Sequence, residues 1–264
     1  MRLVRFLANG QVRFGVLEGD VVRELLRPYF EGVLLMDARH ALDQVDLLAP
    51  ARPSKMICVG VNYRDHAAEM GQAMPDEPIV FMKPATALLG PGRPIVCPAG
   101  VGRVDYEAEL AVVIRRDCRA VAPEDADDCI LGYTCFNDVT ARDLQKKDGQ
   151  WTRAKGFDTF GVVGPWIETD PGDVNDLAVE CRLNGKVRQH SRTSQLKFDC
   201  RRLVAWISRV MTLRAGDVIA TGTPSGIGPM KPGDVVEVEV EGIGVLRNDV
   251  IAEPEGRLRP AEIV

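Results

Sequence analysis

Seven short strand-like segments, each closed by glycine, proline or polar turn residues, recur along the chain from residue 55 onward. They are KMICVGV (55–61), PIVFMK (78–83), YEAELAVVI (106–114), GYTCFND (132–138), VECRLNGKVRQ (179–189), GDVIATG (216–222) and DVVEVEVEGIG (234–244). Short runs at this spacing predict a mostly β fold, a barrel or sandwich rather than a parallel α/β sheet. Asn184-Gly185 sits where a two-residue hairpin turn is expected. One helix stands out: Leu203, Val204, Ile207, Val210 and Met211 recur at helical spacing after a candidate N-cap at Asp199, and Gly216 is its expected stop.

Ahead of these segments, residues 3–17 alternate around Asn9-Gly10, which predicts a hairpin with Val4, Phe6, Val12, Phe14 and Val16 on one face. Ala49-Pro50-Ala51-Arg52-Pro53 reads as a linker. The expected organisation is therefore a small N-terminal β-rich domain, residues 1–50, followed by a main domain, residues 51–264. With 264 residues and 45% hydrophobic content the chain can bury a large core. A net charge of −5 predicts no pull toward nucleic acid or an anionic membrane. No apolar run approaches the ~20 residues of a membrane span, and the start of the chain shows no secretory pattern, so a cytoplasmic protein is expected. The seven cysteines include no C-x-x-C pair and suggest neither a zinc site nor a disulfide framework.

Within DYEAELAVVI (105–114) three carboxylates occupy alternate positions. Side chains two apart on a strand share a face at about 6.6 Å, so Asp105, Glu107 and Glu109 are expected to point the same way. One reading is a solvated acidic face. Against it, Ala111 and Val113 continue that face while Leu110, Val112 and Ile114 fill the other, as in a strand that enters the interior. Carboxylates crowded at such a place need a cation or a proton, and an all-oxygen cluster suits a hard divalent ion such as Mg²⁺ or Mn²⁺. Asp138, where GYTCFND gives way to polar sequence, is a candidate third ligand or else a turn residue.

Three further stretches carry chemistry. NYRDHAAEM (62–70) sets His66 and Glu69 three residues apart, on one face of any short helix; they form either a carboxylate-oriented base or a surface pair. TGTPSGIG (221–228) can present backbone N–H groups to an anion, but it lacks both the Walker ending and the dinucleotide-binding spacing. In RAKGFDTFGVVGPW (153–166), Lys155 lies in an expected loop, where it can meet a substrate carboxylate or a developing oxyanion.

These stretches, together with FMKPATALLGPG and GYTCFNDVTARDLQ, follow one another in an order that resembles the fumarylacetoacetate hydrolase family over residues 55–250. The resemblance implies a fold of mixed rolled β-sheets assembled as a homodimer or larger homo-oligomer. It further implies that Glu107, Glu109 and Asp138 hold Mg²⁺ or Mn²⁺, with Asp105 outside the triad, and that His66 and Glu69 ride a mobile lid. Lys155 would face a small carboxylate substrate, Arg142 and Gln145 would bind its oxygens, and Thr223 with the backbone around Gly222 would hold its carboxylate. The expected activity is that of a metal-dependent enzyme acting on 2-oxo or 2-hydroxy-2-enoic acids. The roughly 50 extra N-terminal residues favour the 2-hydroxyhepta-2,4-diene-1,7-dioate isomerase type of aromatic catabolism. Acylpyruvate hydrolysis and oxaloacetate decarboxylation are the alternatives, and a non-catalytic metal-stabilised binding protein is a remote one.

Overall fold

The computed structural model describes residues 1–254. Among these residues the dominant element is a twelve-stranded mixed sheet, accompanied by a five-stranded and a three-stranded sheet. The large sheet begins in the N-terminal hairpin, Arg2–Ala8 and Gln11–Glu18, with Val21–Leu25 and Leu35–Ala41 beyond it. It continues through Gly161–Glu168, Ile130–Asp138, Ala108–Ile114, Val218–Ala220 and Met56–Val59 to an edge at Val80–Lys83. The first fifty residues thus extend the large sheet: Arg2 pairs with Glu168 and Leu3 with Ile167.

The hairpin turn falls at Asn9-Gly10, and both residues adopt positive φ, as a tight two-residue turn requires. The one-face expectation for the hairpin is corrected by its register. A two-residue turn pairs odd positions with even ones, so Phe6 stands opposite Arg13, and Phe14 opposite Arg5. Val4 and Phe6 pack with Leu17 and Val22 on one side; Leu3 and Val16 pack with Tyr29 and Ala49 on the other. Both faces carry buried residues because the hairpin lies between two cores, although Val12, beside the turn, is exposed.

The same division runs through the centre of the molecule. Strand Ala108–Ile114 is buried at every residue, with Leu110, Val112 and Ile114 in the larger core and Ala111 and Val113 in the second. The larger core lies against the five-stranded sheet and the helix Cys200–Val210. That sheet has at one edge the hairpin Ala178–Leu183 and Lys186–Arg192, turned at Asn184-Gly185.

Four α-helices are described: α1 (Arg64–Glu69), α2 (Arg142–Asp148), α3 (Thr152–Lys155) and α4 (Cys200–Val210). The Asp199 carboxylate accepts the Arg202 N–H at 2.9 Å and caps α4, as its sequence position anticipates. Leu203, Val204 and Ile207 are buried, but Val210 is exposed and the helix stops there rather than running to Gly216. The chain needs the intervening residues to place Leu213 opposite Cys118 before the Gly216 turn leads into the next strand. None of the described helices is long and apolar enough to cross a membrane.

Candidate active site

The carboxylate stretch is two strands rather than one. Val104–Tyr106 belongs to the three-stranded sheet and Ala108–Ile114 to the twelve-stranded sheet, with the break at Glu107. At the break the Glu107 N–H donates to the Asn137 side chain at 3.0 Å, while the Glu107 carbonyl accepts from the Asp138 N–H at 2.9 Å. Asp105 consequently leaves the other two. It is fully buried, receives Arg103 Nε at 2.6 Å and Arg142 Nε at 2.9 Å, and does not line the cavity described below.

Glu109 stands opposite Phe136 in the antiparallel register, so Asp138, two residues further, falls on the Glu109 face. Glu107 projects there as well. One carboxylate oxygen from each of Glu107, Glu109 and Asp138 lies within 4.8 Å of the others, and all three residues are buried. Sheet register brings together groups from separate stretches of sequence and withdraws the neighbouring Asp105.

Three buried cations surround this group. Lys155 Nζ bridges Glu107 Oε2 at 2.9 Å and Asp138 Oδ2 at 2.7 Å. Arg142 joins Asp105 to Glu107 and holds Gln145 Oε1 at 2.6 Å. The third, Lys83, was not singled out from sequence, where it only closes an apolar run. Its Nζ lies 2.6 Å from Asp138 Oδ1, yet its three N–H groups donate to the carbonyls of Val139, Lys155 and Phe160 at 2.8–2.9 Å. Asp138 Oδ1 is therefore held by charge alone and accepts no hydrogen bond. Lys155 itself lies at the end of the one-turn helix α3, fully buried, which corrects the loop expected from its glycine-rich surroundings.

The carboxylates differ in their electrostatics. Burial disfavours a charged Glu107, but the Lys155 and Arg142 cations outweigh it and hold the carboxyl at about 2. Glu109 is pushed well above the usual carboxylate range, first by burial and then by the Asp138 and Glu107 charges. Its main compensation is the Gly222 N–H, which donates to Oε2 at 2.7 Å. Among the described residues Glu109 has no ion-pair partner. A buried carboxylate without a cation, beside an Asp138 oxygen without a donor, is a donor set that fits a hard divalent ion.

The group forms part of the lining of a cavity of about 220 Å³ whose wall includes His66, Met70, Phe81, Arg142, Trp151 and Thr223. His66 and Glu69 share a face of α1, with Nδ1 3.1 Å from Glu69 Oε2. Glu69 also accepts the Gly226 N–H at 3.1 Å, and Asp65 accepts the Ser191 hydroxyl at 2.6 Å, so α1 is tied down at two points. The TGTPSGIG loop is thus engaged largely with the protein itself. Its Gly222 N–H serves Glu109, and the Thr223 hydroxyl donates to the Ala108 carbonyl at 2.9 Å while accepting from Gln189 Nε2 at 2.8 Å. Gln189, a second unanticipated residue, also takes the Ala108 N–H at 3.0 Å. Its only sequence signal is a polar residue amid a strand.

Residues 55–251 match the family model for the fumarylacetoacetate (FAA) hydrolase C-terminal domain, and residues 1–50 match the model described as Rv2993c-like, N-terminal. The chain belongs to the fumarylacetoacetate hydrolase family. Members of this family are enzymes, among them isomerases, hydrolases and tautomerases. The chain is similar to a 5-carboxymethyl-2-hydroxymuconate delta-isomerase from Mycobacterium smegmatis, with 48% identity, a TM-score of 0.91 and coverage of 96% of this chain and 100% of that one. A 2-hydroxyhepta-2,4-diene-1,7-dioate isomerase from Mycobacterium marinum gives 46% identity, a TM-score of 0.90 and coverage of 97% and 100%. Maleylpyruvate hydrolase from Sphingobium sp. SYK-6, in complex with manganese(II) and pyruvate, gives 35% identity, a TM-score of 0.82 and coverage of 96% and 100%. A mitochondrial oxaloacetate tautomerase of Xenopus laevis is 42% identical over 82% of this chain and 75% of its own length. The fold of this family, mostly β with mixed sheets and an N-terminal extension, is the one described above.

Proposed function

We propose that this protein is a divalent-metal-dependent enzyme that moves a proton on 2-oxo or 2-hydroxy-2-enoic acids, of the 2-hydroxyhepta-2,4-diene-1,7-dioate isomerase type, in aromatic catabolism. The observation that carries the reading is the buried Glu107–Glu109–Asp138 group, one member lacking a cationic partner, in a cavity that His66 also lines. Similarity over nearly the whole chain to two proteins named as isomerases of this type supports the choice of reaction.

In this proposal the three carboxylates hold Mg²⁺ or Mn²⁺. Such an ion, when bound, polarises the substrate oxygens and stabilises the negative charge that appears when a C–H proton leaves. The remaining work falls to the chain. With Glu69 accepting from Nδ1–H, the other ring nitrogen of His66 is the one free to take a proton and return it elsewhere. Lys155 and Arg142 set fixed positive charge beside the developing anion, in a site where little water screens it. Arg142 and Gln145 bind the substrate oxygens, and Thr223 and Gly222 border its carboxylate end. Closure of α1, latched by Glu69 to Gly226, excludes water from the reacting carbon.

A second reading, cleavage of a C–C bond, is favoured by the similarity to the manganese- and pyruvate-bound maleylpyruvate hydrolase. The same His66–Glu69 pair would then activate water. Oxaloacetate decarboxylation demands only the charge-stabilising half of the site. The family-model boundary supports treating residues 1–50 as a small N-terminal unit ahead of a catalytic unit, residues 51–264, whose last ten residues lie outside those described. A homodimer or larger assembly belongs to the same proposal.

The deciding experiment follows chelator-stripped protein on 2-hydroxyhepta-2,4-diene-1,7-dioate, acylpyruvates and oxaloacetate, with and without added Mg²⁺ or Mn²⁺. Metal-restored migration of a double bond without new fragments is the expected result. Metal-restored fragments or CO₂ instead select the hydrolase or the decarboxylase, and turnover that ignores the metal overturns the proposal.

Ion binding carries its own pH signature. A carboxyl raised by burial favours the fold while protonated and loses that contribution as pH rises through its folded-state pKa. In metal-free protein Glu109 is such a group, and an incoming cation must displace its proton. Calorimetry of Mn²⁺ binding in buffers of different ionisation enthalpy should therefore show proton release, with binding that tightens as pH rises. Binding that is independent of pH and releases no proton removes Glu109 from the ligand set.

A further inference from the structure

The basic side chains that line the cavity are, with one exception, already matched to acids. Arg142 is bound to Asp105 and Glu107, Lys155 to Glu107 and Asp138, and His66 to Glu69. Lys146 is the exception: it lines the same cavity, is exposed at its mouth, and pairs with no carboxylate among the described residues. Its position follows from helix geometry. Arg142, Gln145 and Lys146 stand at i, i+3 and i+4 of α2, so one face of the helix carries all three. Lys147, one residue on, lies off that face and does not line the cavity.

A cavity with a cluster of acids in its depth and one unmatched ammonium at its mouth is polar at both ends. Met70, Phe81 and Trp151 also line the cavity and give it an apolar wall suited to a short carbon skeleton. We infer that Lys146 receives a second, distal carboxylate of the substrate and so selects dicarboxylic over monocarboxylic 2-oxo acids. This rests on the proposed reading of the Glu107–Glu109–Asp138 group as the site for the 2-oxo-acid head. Lys146 is a specificity residue here, not a proton carrier: it stands exposed on the helix face, and the proposed proton relay is the His66–Glu69 pair.

The test compares a matched pair of five-carbon acids, 2-oxoglutarate and 2-oxopentanoate, which differ in the distal carboxylate. Their binding to the Mn²⁺-loaded full chain is measured by calorimetry for the wild type, K146Q, K146R and K147Q. The wild type should prefer the diacid by about tenfold or more, the range of a single charge-assisted contact at a partly wet site. K146Q should lose about that factor, while K146R and K147Q should keep it. Because the contact is exposed, the wild-type preference should also shrink between about 20 and about 500 mM salt. A K146Q variant with the full preference, or a wild type with none, overturns the inference and leaves the head-group site standing. Neither acid binding to the Mn²⁺-loaded wild type overturns the head-group reading, and the inference falls with it.

Discussion

The E109Q variant is expected to lose metal-dependent turnover by about three orders of magnitude while remaining folded. The magnitude follows from removing one of three anionic ligands from an ion that supplies several kcal/mol of charge stabilisation. Folding should survive because the side-chain oxygen that accepts the Gly222 N–H is retained in glutamine. The metal-free variant should in fact be at least as stable as the wild type at pH 8, since the substitution removes a carboxyl whose ionisation burial, Asp138 and Glu107 all oppose. Three measurements check this: turnover, Mn²⁺ affinity and a urea midpoint. Undiminished metal-dependent activity in E109Q sinks the ligand assignment. A large fall in metal-free stability at pH 8 contradicts the account of its electrostatics.

Replacing Lys83 with methionine should have the opposite balance, striking the fold harder than the chemistry. The ammonium is fully buried and satisfies three carbonyls from different segments, Val139, Lys155 and Phe160, while lying against Asp138. Methionine fills a similar volume but leaves those oxygens facing one another without a donor. Breaking a buried charged arrangement by removing one partner costs about 3–5 kcal/mol. For a chain of this size that corresponds to a fall in Tm of roughly 10 °C. Chemical denaturation of metal-free K83M is the cleanest measurement, because it separates the fold from the ion. A loss below about 1 kcal/mol would mean that water replaces the ammonium and that the residue is dispensable for the scaffold.

The two lysines that flank Asp138 therefore differ in role although both are buried. Lys155 gives its hydrogen bonds to the carboxylates of Glu107 and Asp138, so its charge is directed at the acidic group. Lys83 gives its hydrogen bonds to backbone and lends Asp138 only its charge. Sequence singles out Lys155 by its glycine-rich surroundings but not Lys83, and it does not show which groups either ammonium meets. The difference between the two lysines also explains why Asp138 retains an oxygen free of hydrogen bonds inside a protein interior, where such an atom is costly unless a further partner arrives.

Much that is local was legible from the residues alone. Positive-φ turns at Asn9-Gly10 and Asn184-Gly185, the Asp199 cap and the buried stripe of α4 depend on neighbours within a few positions, so sequence spacing suffices for them. The two-sided burial of Ala108–Ile114 was readable as apolar residues on both faces, and the His66–Glu69 contact as a three-residue spacing on a helix. The order of the motifs along the chain is enough to carry the family resemblance.

What needed the tertiary structure was everything that depends on sheet register and on breaks in strands. The odd-with-even pairing of the first hairpin sent Val4 and Phe6 to one core and Val16 to another. The interruption at Glu107 turned Asp105 toward Arg103 and Arg142 while Glu107 and Glu109 met Asp138. Lys83 and Gln189 joined the site across sequence separations of more than fifty residues. Alternation along one strand fixes the face a side chain takes only as long as the strand is unbroken. Which groups then share that face depends on which other strands pair with it, and that is decided by the packing of the whole sheet.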